Sequence, residues 1–437
     1  MMQVKLDQLA AYRRSDKPRG IVSVCSAHPL VLRAALRNGR RTGTTVLIEA
    51  TCNQVNHLGG YTGMTPEDFA DLVFDLADQE GCPRDQIVIG GDHLGPNPWR
   101  SRPAAEAMAE AEAMVAAYVA AGFRKIHLDA SMGCAGEPLA LDDATTAERA
   151  CRLARVAEET ARAAGNGMPV YIIGTEVPPP GGADHALTDV PPTDPDAARK
   201  TIAIHRKTFS KAGLDEAFSR VIGLVVQPGV EFGNQNVVRY DRQRAQPLVN
   251  ILDDEPNLVF EAHSTDYQGI EPLRELVEDG FGILKVGPEL TFVLRETLYA
   301  LDLIASDLDP AYGERSLKAA MDTMMLADPG FWKGHYNGDP ATIRMLRHYS
   351  LSDRIRYYWP KDEAAGAVDH LLDTLRGKSV PLPLIWQHLP DGSQFAGKPL
   401  QPEDVLIWRV TKALDAYQAA CGTGGTAAAT KDATHVA

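Results

Sequence analysis

The sequence predicts a (β/α)8 TIM barrel with a helical C-terminal extension, and three observations carry the barrel. Eight short apolar runs alternate with eight helical patterns, which is the count such a barrel requires. Each run closes in a polar cluster, as expected where strands end at a catalytic mouth. The glycine-rich first turn usual in an open doubly wound sheet, the structural alternative, is absent.

The runs are Ile21–Ser26, Thr45–Ala50, Ile87–Gly91, Lys125–Asp129, Val170–Thr175, Val221–Gln227, Leu258–Ala262 and Gly282–Val286. They are short, β-branched and largely apolar, which suits strands covered on both faces. Helices are expected over Pro29–Asn38, Pro66–Glu80, Pro103–Ala121, Asp143–Ala164, Asp196–Ala212, Val237–Leu252, Gly269–Glu278 and Glu289–Ser306. Pro66 and Pro103 fall near first turns, where a missing amide is tolerated. After Leu308 the alternation stops, and Ser316–Ala327, Ala341–Leu351, Glu363–Arg376 and Pro402–Cys421 read as helices. The expected division is a barrel over 1–308, an extension over 309–421 and a disordered Gly/Thr/Ala-rich tail over 422–437. The extension either packs on the barrel or forms a small lobe.

A formal charge of −14 argues against a broad nucleic-acid footprint. No uncharged apolar stretch is long enough to cross a bilayer, and the start lacks the apolar core of a signal peptide. Six cysteines without a CxxC pair suit reduced thiols, so the chain reads as soluble and cytoplasmic. A homo-oligomer is compatible with the sequence and is not specified by it.

The polar clusters are where chemistry is expected. Asp92-His93 follows the third run and is flanked by Gly90, Gly91 and Gly95, which permit close backbone approach. Glu49, Asp129, Thr175-Glu176, Glu231 and His263-Ser264-Thr265-Asp266 follow other runs. Imidazoles and carboxylates together suit Zn²⁺ or a similar divalent ion, with His93 and His263 as ligands and Glu231 or Glu176 completing the set. The alternative is that both histidines only bond loop backbone. Lys285 is either a desolvated amine able to form a Schiff base or an ion-pair partner of the nearby acids. Ser264 and Gly287, after the last two runs, are candidates for phosphate contact. Arg344, Arg347, Arg354 and Arg356 crowd one stretch of the extension and form either a phosphate fork or a solvated helix face.

Longer stretches resemble a known family. Ser23–Pro29, Ile48–Thr51, Asn53–Asn56, Gly59–Thr65, Gly90–Pro96, Lys125–Met132 and Gly174–Pro178 resemble the Z-subunit family of D-tagatose-1,6-bisphosphate aldolases. So do Val225–Phe232, Glu261–Gln268, Leu284–Pro288 and Tyr349–Pro360. The resemblance implies a barrel related to the class II aldolases. Asp92 would then be the acid/base and His93 and His263 metal ligands, with Glu231 standing where those aldolases carry a further histidine. Glu176 is a second acid/base candidate, and Ser264, Gly287, Lys285 and Arg354 are the substrate or phosphate candidates. The expected activity is a metal-dependent D-tagatose 6-phosphate 4-epimerase giving D-fructose 6-phosphate. The alternative is a non-catalytic subunit that stabilises a partner class II aldolase. A kinase label also attached to the family finds no GxxxxGK[ST] here.

Overall fold

The structure is a computed structural model describing residues 3–174 and 189–423. Its strands are β1 (Ile21–Cys25), β2 (Val46–Thr51), β3 (Ile87–Leu94), β4 (Lys125–Leu128), β5 (Val170–Gly174) and β6 (Val221–Val225). They continue with β7 (Glu231–Phe232), β8 (Val237–Val238), β9 (Val259–Ala262) and β10 (Phe281–Val286). Eight of them close a barrel in the order β1-β2-β3-β4-β5-β6-β9-β10, parallel at every pairing. β7 and β8 form a separate antiparallel hairpin. The expected (β/α)8 count is met.

Because side chains alternate along a strand, every second residue enters the barrel. The lowest inward positions are apolar: Ile21, Leu47, Ile172, Val259 and Ile283 form one cluster with Val4, Leu6 and Leu9 of the N-terminal segment. Two residues further along, the inward positions become Ser23, Glu49, Lys125, Glu261 and Lys285, all buried. Ion pairs of Lys125 and Lys285 with Glu49 and Glu261 join the charged members into one layer. Gly90 lacks a side chain for a steric reason. A Cβ there would stand 2.8 Å from Glu49 Oε1 and 3.2 Å from Lys125 Cβ.

Three elements differ from expectation. β3 does not stop at Gly91 but runs on to Leu94, so Asp92-His93 lies within the strand and not in a turn after it. Helix was expected over Val237–Leu252, but it spans only Arg242–Val249. The β-branched pair Val237-Val238 instead joins the hairpin, and Asp241 caps the shortened helix by accepting from the amides of Gln243 and Arg244. The helix from Pro29 continues to Thr42 and ends where Gly43 adopts φ 66°.

In the extension the helix Pro402–Ala420 returns to the barrel. It packs on the helices Pro29–Thr42, Ile270–Glu278 and Pro288–Leu308, and Cys421 O accepts from Gly20 N at 3.1 Å. The disordered-tail expectation lies outside the described residues, apart from Gly422 and Thr423. Among the described residues no helix is long and apolar enough to cross a membrane. All six cysteines are buried and unpaired.

Candidate active site

A cavity of about 860 Å³ opens at the C-terminal ends of the strands, and Asp92, His93, Asp129, His263 and Lys285 stand on its wall. In a regular strand Asp92 and His93 would face opposite ways. The β3–β4 register slips between Gly91 and Leu94, and His93 takes φ 49°. This bulge turns both side chains into the mouth. Ser264, with φ 51°, repeats the device directly after His263.

Three imidazoles meet here, with centroids 4.9 Å apart for His93–His127 and His93–His263 and 5.5 Å for His127–His263. Each ring is anchored by one nitrogen. His93 Nδ1 bonds Asp129 Oδ2 at 2.8 Å, His263 Nε2 bonds Glu261 Oε1 at 2.9 Å, and His127 Nε2 donates to Gly174 O at 2.9 Å. The other nitrogen is then free to carry a lone pair, the arrangement in which metal-ligating histidines are held. His263 Nδ1 is buried with no hydrogen-bond partner. Burial, with Lys285 beside it, lowers the pKa of His263 to about 3, so the ring is neutral. His127 Nδ1 accepts from His93 N and faces Asp92 Oδ1 at 3.0 Å. Two lone pairs so opposed call for a shared proton or cation. One ligand atom from each of Asp92, His93, His127 and His263 lies within 4.8 Å of the others. Three imidazoles with an open fourth position fit Zn²⁺ or a similar ion.

Below this set the charged layer supports Asp92. Lys285 Nζ pairs with Asp92 Oδ1, with Glu49 Oε2 at 3.2 Å and with Glu261 Oε1 at 3.4 Å. Lys125 Nζ pairs with Glu49 and, at 2.8 Å, with Glu261 Oε2. Asp92, Glu49 and Glu261 thus face two ammonium groups while Asp129 faces His93, and a divalent cation would balance the excess. Burial alone would raise the Asp92 pKa, but His93, Lys285 and the His127 hydrogen bond hold it well below the ordinary carboxylate range. Asp92 Oδ1 is engaged by Lys285 and His127. Oδ2 has Cys25 Sγ at 3.8 Å and His93 Nε2 at 3.6 Å, and is the less engaged of the two oxygens.

The other expected residues fall as follows. Glu231 is not among the converging ligand atoms, which corrects the expected metal set. Its strand lies in the hairpin outside the barrel, and its Oε1 turns back to accept from Phe232 N at 2.9 Å. His127 stands among those atoms instead. Ser264 stands on the cavity wall, with its hydroxyl buried near the Glu231 carboxylate. Gly287 also reaches the wall, but its N–H donates to Asp266 Oδ1 at 3.1 Å, so that amide is not open to phosphate. Lys285 proves to be the ion-pair partner of the acids. Arg354 is not on the wall; its Nε donates to Phe331 O, while Arg356 two residues on reaches the cavity. Glu176 lies outside the described residues.

Burial raises the Glu231 pKa to about 7, above its unfolded value near 4.3. Its contribution to stability is therefore fully present below about pH 4 and is lost as pH rises through 7. Glu231→Gln should thus stabilise the protein above pH 7, by up to about 3 kcal/mol, and change little at pH 4. Denaturant titrations at both pH values check this, and unchanged metal content would confirm that Glu231 is no ligand.

Comparison with known proteins places the chain. A curated relative from Agrobacterium fabrum (strain C58 / ATCC 33970), named D-tagatose 6-phosphate 4-epimerase, is 59% identical over 423 residues, covering 97% of this chain and 100% of the relative. The crystal structure of a probable tagatose 6 phosphate kinase from Sinorhizobium meliloti 1021 superposes with a TM-score of 0.85 at 53% identity. That match covers 92% of this chain and 100% of the other. The model of the D-tagatose-1,6-bisphosphate aldolase subunit GatZ/KbaZ-like family matches residues 6–422, and the chain belongs to that family.

Proposed function

We propose that the chain is a metal-dependent D-tagatose 6-phosphate 4-epimerase, interconverting this sugar with D-fructose 6-phosphate by breaking and remaking the C3–C4 bond. The observation that carries the reading is the placement of the Asp92 carboxylate beside three anchored imidazoles at one barrel mouth. The name of the Agrobacterium relative points the same way. The kinase title borne by the Sinorhizobium structure has no such support, since the chain lacks GxxxxGK[ST].

The C4 hydroxyl of a 2-ketose is β to the carbonyl. Asp92 Oδ2 takes the proton from that hydroxyl, and the C3–C4 electron pair moves toward the C2 carbonyl, leaving an enediolate and an aldehyde. A divalent cation held by His93, His127 and His263 would polarise the carbonyl and stabilise the enediolate. Once the aldehyde has turned its other face, the carbon–carbon bond re-forms and Asp92 returns the proton to the C4 oxygen. Lys285 keeps Oδ1 fixed throughout, so that Oδ2 stays aimed at the substrate. The Ser264 hydroxyl is a further substrate donor. Glu176, following β5, remains the second acid/base candidate. The unpaired thiols fit a reducing compartment, and we place the enzyme in the cytoplasm.

The family's name favours a second reading, a non-catalytic subunit that stabilises a partner aldolase. One experiment separates the two. The chain purified alone, with Zn²⁺ or Mn²⁺, is given tagatose 6-phosphate and followed by NMR. Fructose 6-phosphate should appear, and a chelator should stop its formation until metal is restored. No conversion, together with activation of a co-expressed aldolase, would replace the epimerase reading by the second one.

A further inference from the structure

Phosphate in this kind of barrel commonly binds at the backbone amides after the last two strands. Here two of the amides after the last strand are already engaged. Asp266 Oδ1 accepts from Gly287 N at 3.1 Å and from Glu289 N at 2.7 Å, at the start of the helix Pro288–Leu308. Asp266 is buried, and its carboxylate stands where an anion would stand. A phosphate ester entering the cavity therefore needs donors other than these two amides.

Two arginines reach the cavity wall, Arg100 and Arg356. Arg100 is exposed at the rim, whereas Arg356 is half-buried. Among the described residues Arg356 forms no ion pair with a carboxylate, in contrast to Arg295 with Asp353 and Arg347 with Asp322. Its guanidinium is nevertheless fixed. Nη1 donates to Ser352 O and, at 3.1 Å, to Asp353 O; Nη2 donates to Tyr357 OH at 3.0 Å. The Tyr357 ring lies 4.5 Å from it, and that ring packs edge-on against Tyr61 at 4.9 Å. Nε–H and one Nη2–H are left without a protein partner. Two parallel donors on a rigid, desolvated fork match two oxygens of a phosphate. On the same wall His28 accepts from Leu30 N at 3.2 Å through Nδ1, which puts its proton on Nε2 as a neutral donor.

We propose that Arg356, carried into the barrel mouth by the C-terminal extension, is the phosphate anchor that makes the site selective for a phosphorylated ketose. The proposal rests on the epimerase reading for its substrate, but not for its ligand class. The anchor replaces the backbone site that Asp266 occupies, and it ties substrate choice to a segment outside the eight strands.

The metal-loaded protein and its Arg356→Met variant are compared on tagatose 6-phosphate and on unphosphorylated tagatose. The ratio of kcat/KM for the two sugars should fall by about 100-fold in the variant, chiefly through KM. Arg356→Lys, which keeps the charge but not the fork, should recover part of it. An unchanged ratio overturns the assignment, as does a fall produced by Arg100→Met instead. If Arg356→Met does not fold, Tyr357→Phe, which removes one bond orienting the fork, should lower the ratio by less, and no change would overturn the assignment. If the wild-type protein turns over neither sugar, the epimerase reading fails and the anchor is tested alone. Inorganic phosphate should then raise the melting temperature of the wild type and not of the variant, and equal shifts overturn the anchor.

Discussion

Asp92→Asn should lower kcat for the epimerisation by about 10²- to 10⁴-fold, the range over which a positioned acid/base acts. Metal content and melting temperature should stay near those of the wild type. The variant keeps the volume of the side chain and one oxygen to accept from Lys285, while the three imidazoles keep their anchors on Asp129, Glu261 and Gly174 O. What is lost is a carboxylate held ionised by His93 and Lys285 with one oxygen facing the cavity. NMR time courses at saturating substrate, with metal analysis of the same sample, make the measurement. Full activity would remove Asp92 from the mechanism, and loss of metal would recast it as a ligand.

The largest effect on stability is expected at Lys125, which makes no use of its amine outside the protein. Its side chain is fully buried between Glu49 and Glu261. Lys125→Met keeps the length of the chain and removes the charge, leaving two buried carboxylates to share Lys285. Breaking a buried ion pair on one side is destabilising by about 3–5 kcal/mol, because the remaining charge is stranded. The midpoint of denaturant unfolding should fall accordingly. Pairing the change with Glu49→Gln should recover part of the loss, since it removes the stranded charge along with its partner. A Lys125→Met protein as stable as the wild type would mean that water or another cation reaches the layer.

The architecture was legible because the barrel announces itself as alternation: eight apolar runs, eight helical patterns, a polar cluster after each run. The identity of the site pair Asp92-His93 was legible too, from an acid and an imidazole among glycines. Its geometry was not. Reading Ile87–Gly91 as a strand and Asp92-His93 as a turn missed the bulge, because the left-handed backbone at His93 has no marker in the residue type. Glu231 was chosen as a ligand on its place after an apolar run, but the hairpin that turns it away depends on pairing between Glu231-Phe232 and Val237-Val238. His127 was missed although a signal existed. Lys125, His127 and Asp129 occupy alternate positions in one buried strand, as do Glu261 and His263 in another. Polar residues at a period of two inside a buried strand point into a barrel, and reading those strands as simply apolar hid the charged layer. Arg354 and Arg356 stand two residues apart on an irregular segment, where no period tells which one reaches the cavity wall.

The helix Pro402–Ala420 lies over β1 and against the helices on either side of the β1–β10 junction. Tyr417 OH donates to Thr265 O at 2.8 Å, and Gly20 and Cys421 are joined through their backbones. The first strand and the last helix are thus sewn along one seam. During synthesis every barrel strand has left the ribosome while this seam is still bare, with its apolar outer face open to water and to other chains. Closure of the barrel wall cannot be completed in step with the synthesis of its strands; it waits for the helix Pro402–Ala420. A nascent chain paused before Pro402 would expose that seam and be prone to aggregate.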